Sequence, residues 1–233
     1  MKTIRFHPSS EECQSIVPSP QPARTYIPDW YRDTPSGYAT PTYTEGNLRQ
    51  TVKACVPFAD ALRTGWIQET WCDIHIQTDN GGLNYHYAST PRPLAHREMT
   101  PDQVRISTNA YEPLEMTWIT PWMPEMPRGW SVLFSHPMNR LDLPFTVMSG
   151  IVDSDRFFHT PLGQVPFYVH RGFTGVIPAG TPMYQMTPIR RTDRWLRQIL
   201  TETDKTIKQR AHQIERRFRG AYRDEFWIPK HYD

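Results

Sequence analysis

The sequence predicts a mainly β protein: a β-barrel or two-sheet sandwich with a Pro-rich N-terminal arm and a long C-terminal amphipathic helix. The 233 residues include 23 prolines. Proline cannot donate a hydrogen bond within a sheet, which favours short strands and fixed loops over long helices. The 8 Trp, 11 Tyr and 10 Phe indicate a folded chain, because disordered chains are poor in aromatic residues. Strand-like segments recur at short intervals between turn residues, which is typical of barrels and sandwiches.

Residues 1–50 are predicted to form a strand followed by an arm. Residues 1–7 have a strand-like pattern, and the proline-rich stretch over 8–46 favours extended backbone and turns. Trp30 and Tyr31 lie in an aromatic cluster at 26–31. We expect this cluster to dock the arm on the body of the protein or, alternatively, on a neighbouring subunit.

Residues 51–191 are predicted to be the β domain. A short helical turn fits 57–62, with Pro57 in its first turn and Gly65 just past its end. Residues 66–77 alternate as a strand does, and Asp-Asn-Gly-Gly at 79–82 is a strong hairpin turn. The remaining predicted strands span 83–88, 114–119, 130–135, 145–151, 166–170, 172–177 and 183–189.

Residues 192–233 change in character. Apolar residues at three- and four-residue steps from Trp195 to Phe218, with Thr192 before them and Gly220 after them, predict an amphipathic helix. Its apolar stripe could pack on the β domain or on another subunit, and the aromatic tail around Trp227 is expected to dock. Residues 190–233 carry 12 Lys and Arg against 7 Asp and Glu, so an acidic partner, nucleic acid included, could bind there.

Composition also excludes several classes. No apolar run approaches the roughly 18 residues of a membrane span, and residues 1–7 do not have the pattern of a secretion signal. Cys13, Cys55 and Cys72 are odd in number and lack metal-binding spacing, which predicts reduced thiols in a cytosolic protein. No cofactor is predicted.

A first resemblance extends over nearly the whole chain. It rests on Tyr26 to Tyr31 (YIPDWY), on residues 51–53, 57–61 and 65, on Gly150 to Asp155 (GIVDSD), and on residues 175–177 and 180–183. This pattern resembles a family of uncharacterised proteins encoded by large tailed phages of marine cyanobacteria, with more distant bacterial members. The resemblance implies a phage or prophage setting and no established activity.

A second resemblance covers residues 127–188. Gly150 to Asp155 is similar to the Gly-apolar-apolar-Asp-x-Asp-Tyr motif of dUTPases, and 178–185 to that family's later Gly-x-x-x-x-Gln motif. The resemblance implies a dUTPase or dCTP-deaminase type of β-barrel, often a homotrimer. It implies that Asp153, with Asp155 beside it, orients an attacking water. Gln185 would then contact phosphate or the Mg²⁺ shell, and Asn139 and Arg140 would lie near phosphates. The sequence departs from the family at Arg156, where a Tyr is expected, and at 137–139, where Pro-Arg-Ser is expected.

A third hypothesis is a metal-dependent oxygenase on a cupin-like barrel. Three histidines could bind Fe or Zn together with Glu98. The candidates are His75, His86, His96, His136, His159 and His170. The sequence contains neither an HxH nor an HExxH pair, so hydrogen-bonded or solvent-exposed histidines are the simpler interpretation.

The function that we expect is that of a phage structural or assembly protein, present in the host cytoplasm and in the virion. No set of catalytic residues is complete, and Asp153 and Asp155 fit a tight turn, where short acidic side chains bind local backbone amides. Self-association and contacts with other virion proteins would then use Trp30, Tyr31, Trp195, Phe218 and Trp227.

Overall fold

Strands are the main regular structure of the protein. The computed structural model describes residues 2–39, 49–79, 82–96, 110–113, 115–158, 163–191, 195–197, 199 and 222–233. The strands in these residues are β1 (Arg5–Pro8), β2 (Gln21–Pro22), β3 (Gly37–Tyr38), β4 (Arg49–Gln50), β5 (Trp66–Glu69), β6 (Ile74–Asp79), β7 (Gly82–Tyr87), β8 (Leu94–His96), β9 (Met116–Ile119), β10 (Trp122–Glu125), β11 (Trp130–Ser135), β12 (Phe145–Val147), β13 (Gly150–Val152), β14 (Gln164–Val169), β15 (Gly175–Ile177) and β16 (Pro182–Arg190).

The described helices are short. They are α1 (Glu11–Ile16), α2 (Asp29–Asp33) and α3 (Val56–Arg63), with 3₁₀ turns at Ala23–Tyr26 and Val52–Ala54 and a π turn at Tyr222–Phe226. Ser10 caps α1, because its hydroxyl oxygen accepts a hydrogen bond from the Cys13 amide at 3.0 Å. Pro57 lies in the first turn of α3, and Gly65 follows the helix with a φ of 71°. The predicted helical turn at 57–62 is therefore confirmed.

The strands form several antiparallel sheets. A five-stranded sheet has the order β13-β11-β16-β5-β2, and a four-stranded sheet has the order β12-β14-β9-β8. A three-stranded sheet, β15-β6-β7, contains the predicted hairpin, in which Asp79 pairs with Gly82. β1 pairs with β10, and β3 with β4. The mainly β prediction is confirmed, but among the described residues no sheet closes into a barrel, so the barrel alternative is not supported.

The main hydrophobic core is shared by the larger sheets. It takes Val132 and Met186 from the five-stranded sheet and Trp118 and Phe167 from the four-stranded sheet, all fully buried or nearly so. The Trp118 and Phe167 rings stack with their centroids 4.0 Å apart. These two rings lie on the neighbouring strands β9 and β14 of one sheet. Burying one such side chain contributes about 1.5–3 kcal/mol, so the shared core is a main source of stability.

Two segments predicted to be single strands each divide between two sheets. Residues 66–77 form β5 and then β6, and the corner between them is held by the Thr70 hydroxyl, which donates to the Pro178 carbonyl at 2.7 Å. Residues 145–151 form β12 and most of β13. The Met148 amide donates to the Pro166 carbonyl of β14 at 2.9 Å, which extends the β12–β14 pairing by one residue before the chain passes to the other sheet.

The predicted Pro-rich arm is not supported. The described part of residues 8–46 instead forms short helices and strands that pack on the body, and β2 adds to the edge of the five-stranded sheet beside β5. The prolines keep each element short but do not prevent it from burying apolar side chains, of which Val17 and Tyr31 are examples.

The predicted helix over residues 192–218 is not supported either. Most of this segment lies outside the described residues. The residues within it that are described, 195–197 and 199, are neither helix nor strand.

Candidate functional site

Asp153 and Asp155 lie in and beside the turn that follows β13, where they are bound to a single arginine. Arg191 donates to the Asp153 carboxylate at 2.8 Å and also to Asp155. Asp153 accepts a second bond from the Ser131 hydroxyl at 2.8 Å, and Asp155 accepts one from the Gly129 amide at 2.8 Å. These contacts join the turn to β11 and to the end of β16.

Both carboxylates are held in the charged form. The hydrogen bond from Ser131, followed by that from Arg191, lowers the pKa of Asp153. The hydrogen bond from Arg191 is the main cause that lowers the pKa of Asp155, and the Gly129 amide adds to it. Bonds of this kind stabilise the ionised carboxylate. The arrangement fits the tight-turn interpretation better than a general base, which is most effective with a pKa near the working pH.

Gln185 lies elsewhere on the same sheet. It pairs with Ser135, four residues along β11 from the Ser131 that contacts Asp153, which corresponds to about 13 Å at 3.3 Å per residue. The side-chain oxygen of Gln185 accepts from the Met138 amide at 2.7 Å. Its nitrogen donates to the carbonyls of Ala61 and Thr64 at 3.1 and 2.5 Å. Gln185 is buried, and these bonds use its polar atoms to join α3 to the sheet.

The predicted phosphate contacts, Asn139 and Arg140, also make side-chain hydrogen bonds to other residues of the chain. Asn139 has a φ of 61° and donates its side-chain amide to the Phe58 carbonyl at 3.3 Å. Arg140 binds Asp142 through two nitrogens, at 2.9 and 2.8 Å, and donates to the Tyr26 carbonyl at 3.2 Å. Each of the three guanidinium nitrogens of Arg140 thus makes a contact within the chain.

The described histidines do not assemble into a metal site. In the parts of the chain that the structure covers, no group of three or more His, Cys, Asp or Glu side chains is placed to hold a metal ion. His75 and His86 are cross-strand neighbours on β6 and β7, and His96 ends β8. His136 and His170 each make a side-chain hydrogen bond, to the Arg140 carbonyl at 2.9 Å and to the Thr146 hydroxyl at 3.0 Å. Glu98 and His159 lie outside the described residues.

The predicted aromatic contact residues near the N-terminus bind within the chain. Tyr31 is buried and stacks on Phe58 of α3 at 5.7 Å, and Trp30 contacts both rings edge to face. The side-chain ammonium of Lys53 lies 4.7 Å from the centre of the Tyr31 ring. Of the two placements predicted for this cluster, the structure has the one on the body.

The C-terminal tail is also docked. Trp227 donates its indole N–H to Asp60 of α3 at 2.8 Å, and Lys230 binds the same carboxylate at 2.7 Å. Tyr232 lies edge to face on Trp66 at 5.5 Å. Trp195 is 89% exposed. Phe218 and the basic helix to which the nucleic-acid prediction refers lie outside the described residues, so that contact stays a prediction.

An apolar groove lies beside β13, and no sequence pattern indicates it. Phe134, Val152 and Val165 line this cavity of about 260 Å³, and Met148 and Phe157 lie in its wall at 39% and 51% exposure. Further lining comes from Thr120, Met123, Pro124, Ser149, Gly150, Ser154, Gly163, Gln164 and Pro166. None of these described residues carries a charge. The groove lies where the chain passes from β12 to β13, and no local sequence pattern marks that passage.

Comparison with protein-family models, with curated proteins and with solved structures finds no match to this chain. Among the described helices, none is long and apolar enough to cross a membrane.

Proposed function

We propose that the protein is a structural or assembly component of a phage particle and that it acts through contacts between subunits in the host cytoplasm and in the virion. The observation that carries this proposal is the apolar surface around β13. Ile151 on this strand is 64% exposed, and Met148 and Phe157 beside it are about half exposed. Met148 and Phe157 belong to the uncharged groove, whereas Ile151 lies on the other face of the same strand. Exposed apolar side chains on both faces of one strand are of the kind that marks protein contacts.

The hydrogen bonds that the polar candidate residues make within the chain support a binding role over catalysis. Asp153, Gln185 and Arg140 each make hydrogen bonds that fasten one part of the chain to another. A dUTPase-like reaction would need the acidic group that positions water and the group that contacts phosphate within reach of the same substrate. Gln185 and Asp153 contact residues of β11 that are four positions apart along that strand. They therefore lie too far apart to serve one small site.

We also propose that the five-stranded and four-stranded sheets form a two-sheet sandwich, of a jelly-roll type. The support is the common core, to which β11 and β16 contribute from one sheet and β9 and β14 from the other. Antiparallel sheets with one face in such a core commonly leave the other face in contact with solvent or a partner. A particle protein of this kind would present its outer faces and edges to neighbours.

Quantitative mass spectrometry of purified particles tests the proposal. Particles of a phage that carries this gene should contain the chain at a fixed ratio to the major capsid protein, through density-gradient purification and a high-salt wash. A protein expressed during infection but absent from the purified particles would overturn the proposal.

A further inference from the structure

Strand β13 is an edge strand. It pairs with β11 on one side through Val152–Val132, Ile151–Leu133 and Gly150–Phe134, and among the described residues no strand pairs with its other side. Alternate N–H and C=O groups of an edge strand point away from its sheet and can pair with another chain. The three residues contain no charge and no proline, which are two of the usual means by which an edge strand avoids such pairing.

The side chains of β13 divide between the two faces of the sheet. Val152 packs against the core and Gly150 shares its face, because both lie opposite core residues of β11. Ile151 points to the other face, next to Leu133. A Cβ atom added at Gly150 would meet no atom within 4 Å. The core face of β13 therefore has an open position next to a branched apolar one, and its outer face has an exposed isoleucine.

We infer that a second copy of this chain pairs with β13 through its own β13, antiparallel and about a twofold axis at Ile151. This inference rests on the proposed function and names the partner at the surface described there. In this register the two Ile151 side chains lie side by side, and Gly150 of each copy lies opposite Val152 of the other. The branched Val152 side chain then enters the open space beside Gly150, and the same contact is made twice, as twofold symmetry requires.

The charges near the strand fit this register. Asp153 of one copy falls opposite Ser149 of the other, so the two Asp153 carboxylates do not oppose one another. Arg191 and Ser131 already bind Asp153 within each copy. Like charges placed directly opposite would destabilise a strand pair, and this register contains none among residues 149–153. Met148 and Phe157 lie close enough in the chain to extend the contact beyond the paired strands.

Charge substitution at Ile151 tests the inference. Sedimentation velocity over a range of concentrations should show a reversible dimer of the wild-type chain. Ile151→Lys and Ile151→Glu should each raise the dimer dissociation constant by at least about 100-fold. Each dimer loses two apolar side chains, each worth about a factor of ten, and the repulsion between the two facing like charges adds to that loss. Because Ile151 is 64% exposed, both variants should keep the circular dichroism spectrum of the wild type.

An equimolar mixture of the two variants is the decisive measurement. The Lys and Glu side chains face each other in the mixed pair, so the dimer should return, and it should weaken again as salt is raised. Val176→Lys is the matched control: Val176 is an exposed apolar residue, at 43%, in the middle of the three-residue edge strand β15. This control should leave the dimer unchanged.

Three results would overturn the twofold pairing: a wild-type chain that stays monomeric at high concentration, an Ile151→Lys chain that still dimerises, or a mixture that does not recover the dimer. Failure here is separable from failure of the proposed function. A monomeric chain found at fixed copy number in particles would refute the pairing alone. A dimeric chain absent from particles would refute the particle role alone.

Discussion

Replacing Gln185 with alanine should destabilise the protein, because its side chain joins three backbone groups. The variant would leave the Met138 amide and the carbonyls of Ala61 and Thr64 without their partners. At about 1 kcal/mol for each hydrogen bond, the free energy of unfolding should fall by about 3 kcal/mol. For a chain of this length, that loss corresponds to a melting temperature lower by about 6–12 °C.

Thermal unfolding followed by circular dichroism measures this loss, with Gln77→Ala as the control. Gln77 is an exposed glutamine on β6, and its truncation should change the melting temperature by less than 2 °C, as surface substitutions generally do. A Gln185→Ala chain that melts within 1 °C of the wild type would refute the structural role assigned to this side chain. A loss of nucleotide affinity in that stable variant would instead support the dUTPase-like alternative.

Two further predictions concern backbone conformation and pH. Gly65→Ala should destabilise the protein much more than Gly172→Ala in chemical denaturation. Both glycines have positive φ, at 71° and 74°, but an added Cβ at Gly65 would lie 2.0 Å from the Met186 carbonyl oxygen, whereas one at Gly172 meets nothing within 4 Å. Equal losses of stability in the two variants would show that the positive φ alone, and not the contact with Met186, determines the cost at both sites. Burial is the main cause that lowers the pKa of the His136 imidazole, so the folded state favours the neutral ring. The stability due to His136 should therefore be fully present above its unfolded-state pKa of about 6.5 and decrease as the pH falls below that value. The melting temperature should drop more steeply between pH 7 and pH 5 in the wild type than in His136→Gln, and parallel curves would contradict this account.

The sequence predicted elements that are defined by local signals. The helix at 56–63 follows from Pro57 and Gly65, the β6–β7 hairpin from the turn residues at 79–82, and β11 from an apolar run bounded by turns. In each case the signal lies within a few residues of the structure that it specifies. Interactions at that range depend little on the rest of the fold, which is why a single sequence reveals them.

The divided strands could not be predicted in the same way. Alternation of side chains continues through a corner, so the pattern over 145–151 is the same whether the strand is straight or passes between sheets. The strand partners on the two sides of the corner are β14 for β12 and β11 for β13, and nothing local to residues 145–151 indicates either partner. Asp153 and Asp155 illustrate the same limit: a turn could be inferred from their residue types, but not their common partner Arg191.

The polar candidates show a related limit of sequence motifs. A motif predicts Gln185 and Arg140 as ligand contacts, yet backbone carbonyls and amides compete for the same donors and acceptors. A mainly β chain with many prolines has loops whose backbone groups lack regular partners, and buried groups of that kind must be satisfied by side chains. The Gln185 contact with the end of α3 is such a case. A polar residue in a motif is therefore weak support for catalysis in this chain.

The passage from β12 to β13 accounts for the surface on which both proposals depend. Because the chain leaves the four-stranded sheet at Met148 and enters the five-stranded sheet at Gly150, β13 joins at an edge, with β11 as its one neighbour among the described strands. The same passage keeps Met148 partly exposed beside the groove. Had residues 145–151 continued as one strand of the four-stranded sheet, Ile151 would have extended β12 and the five-stranded sheet would have ended at β11. The edge, the open position at Gly150 and the groove thus share one cause, and the Ile151 charge pair tests whether a second copy occupies that edge.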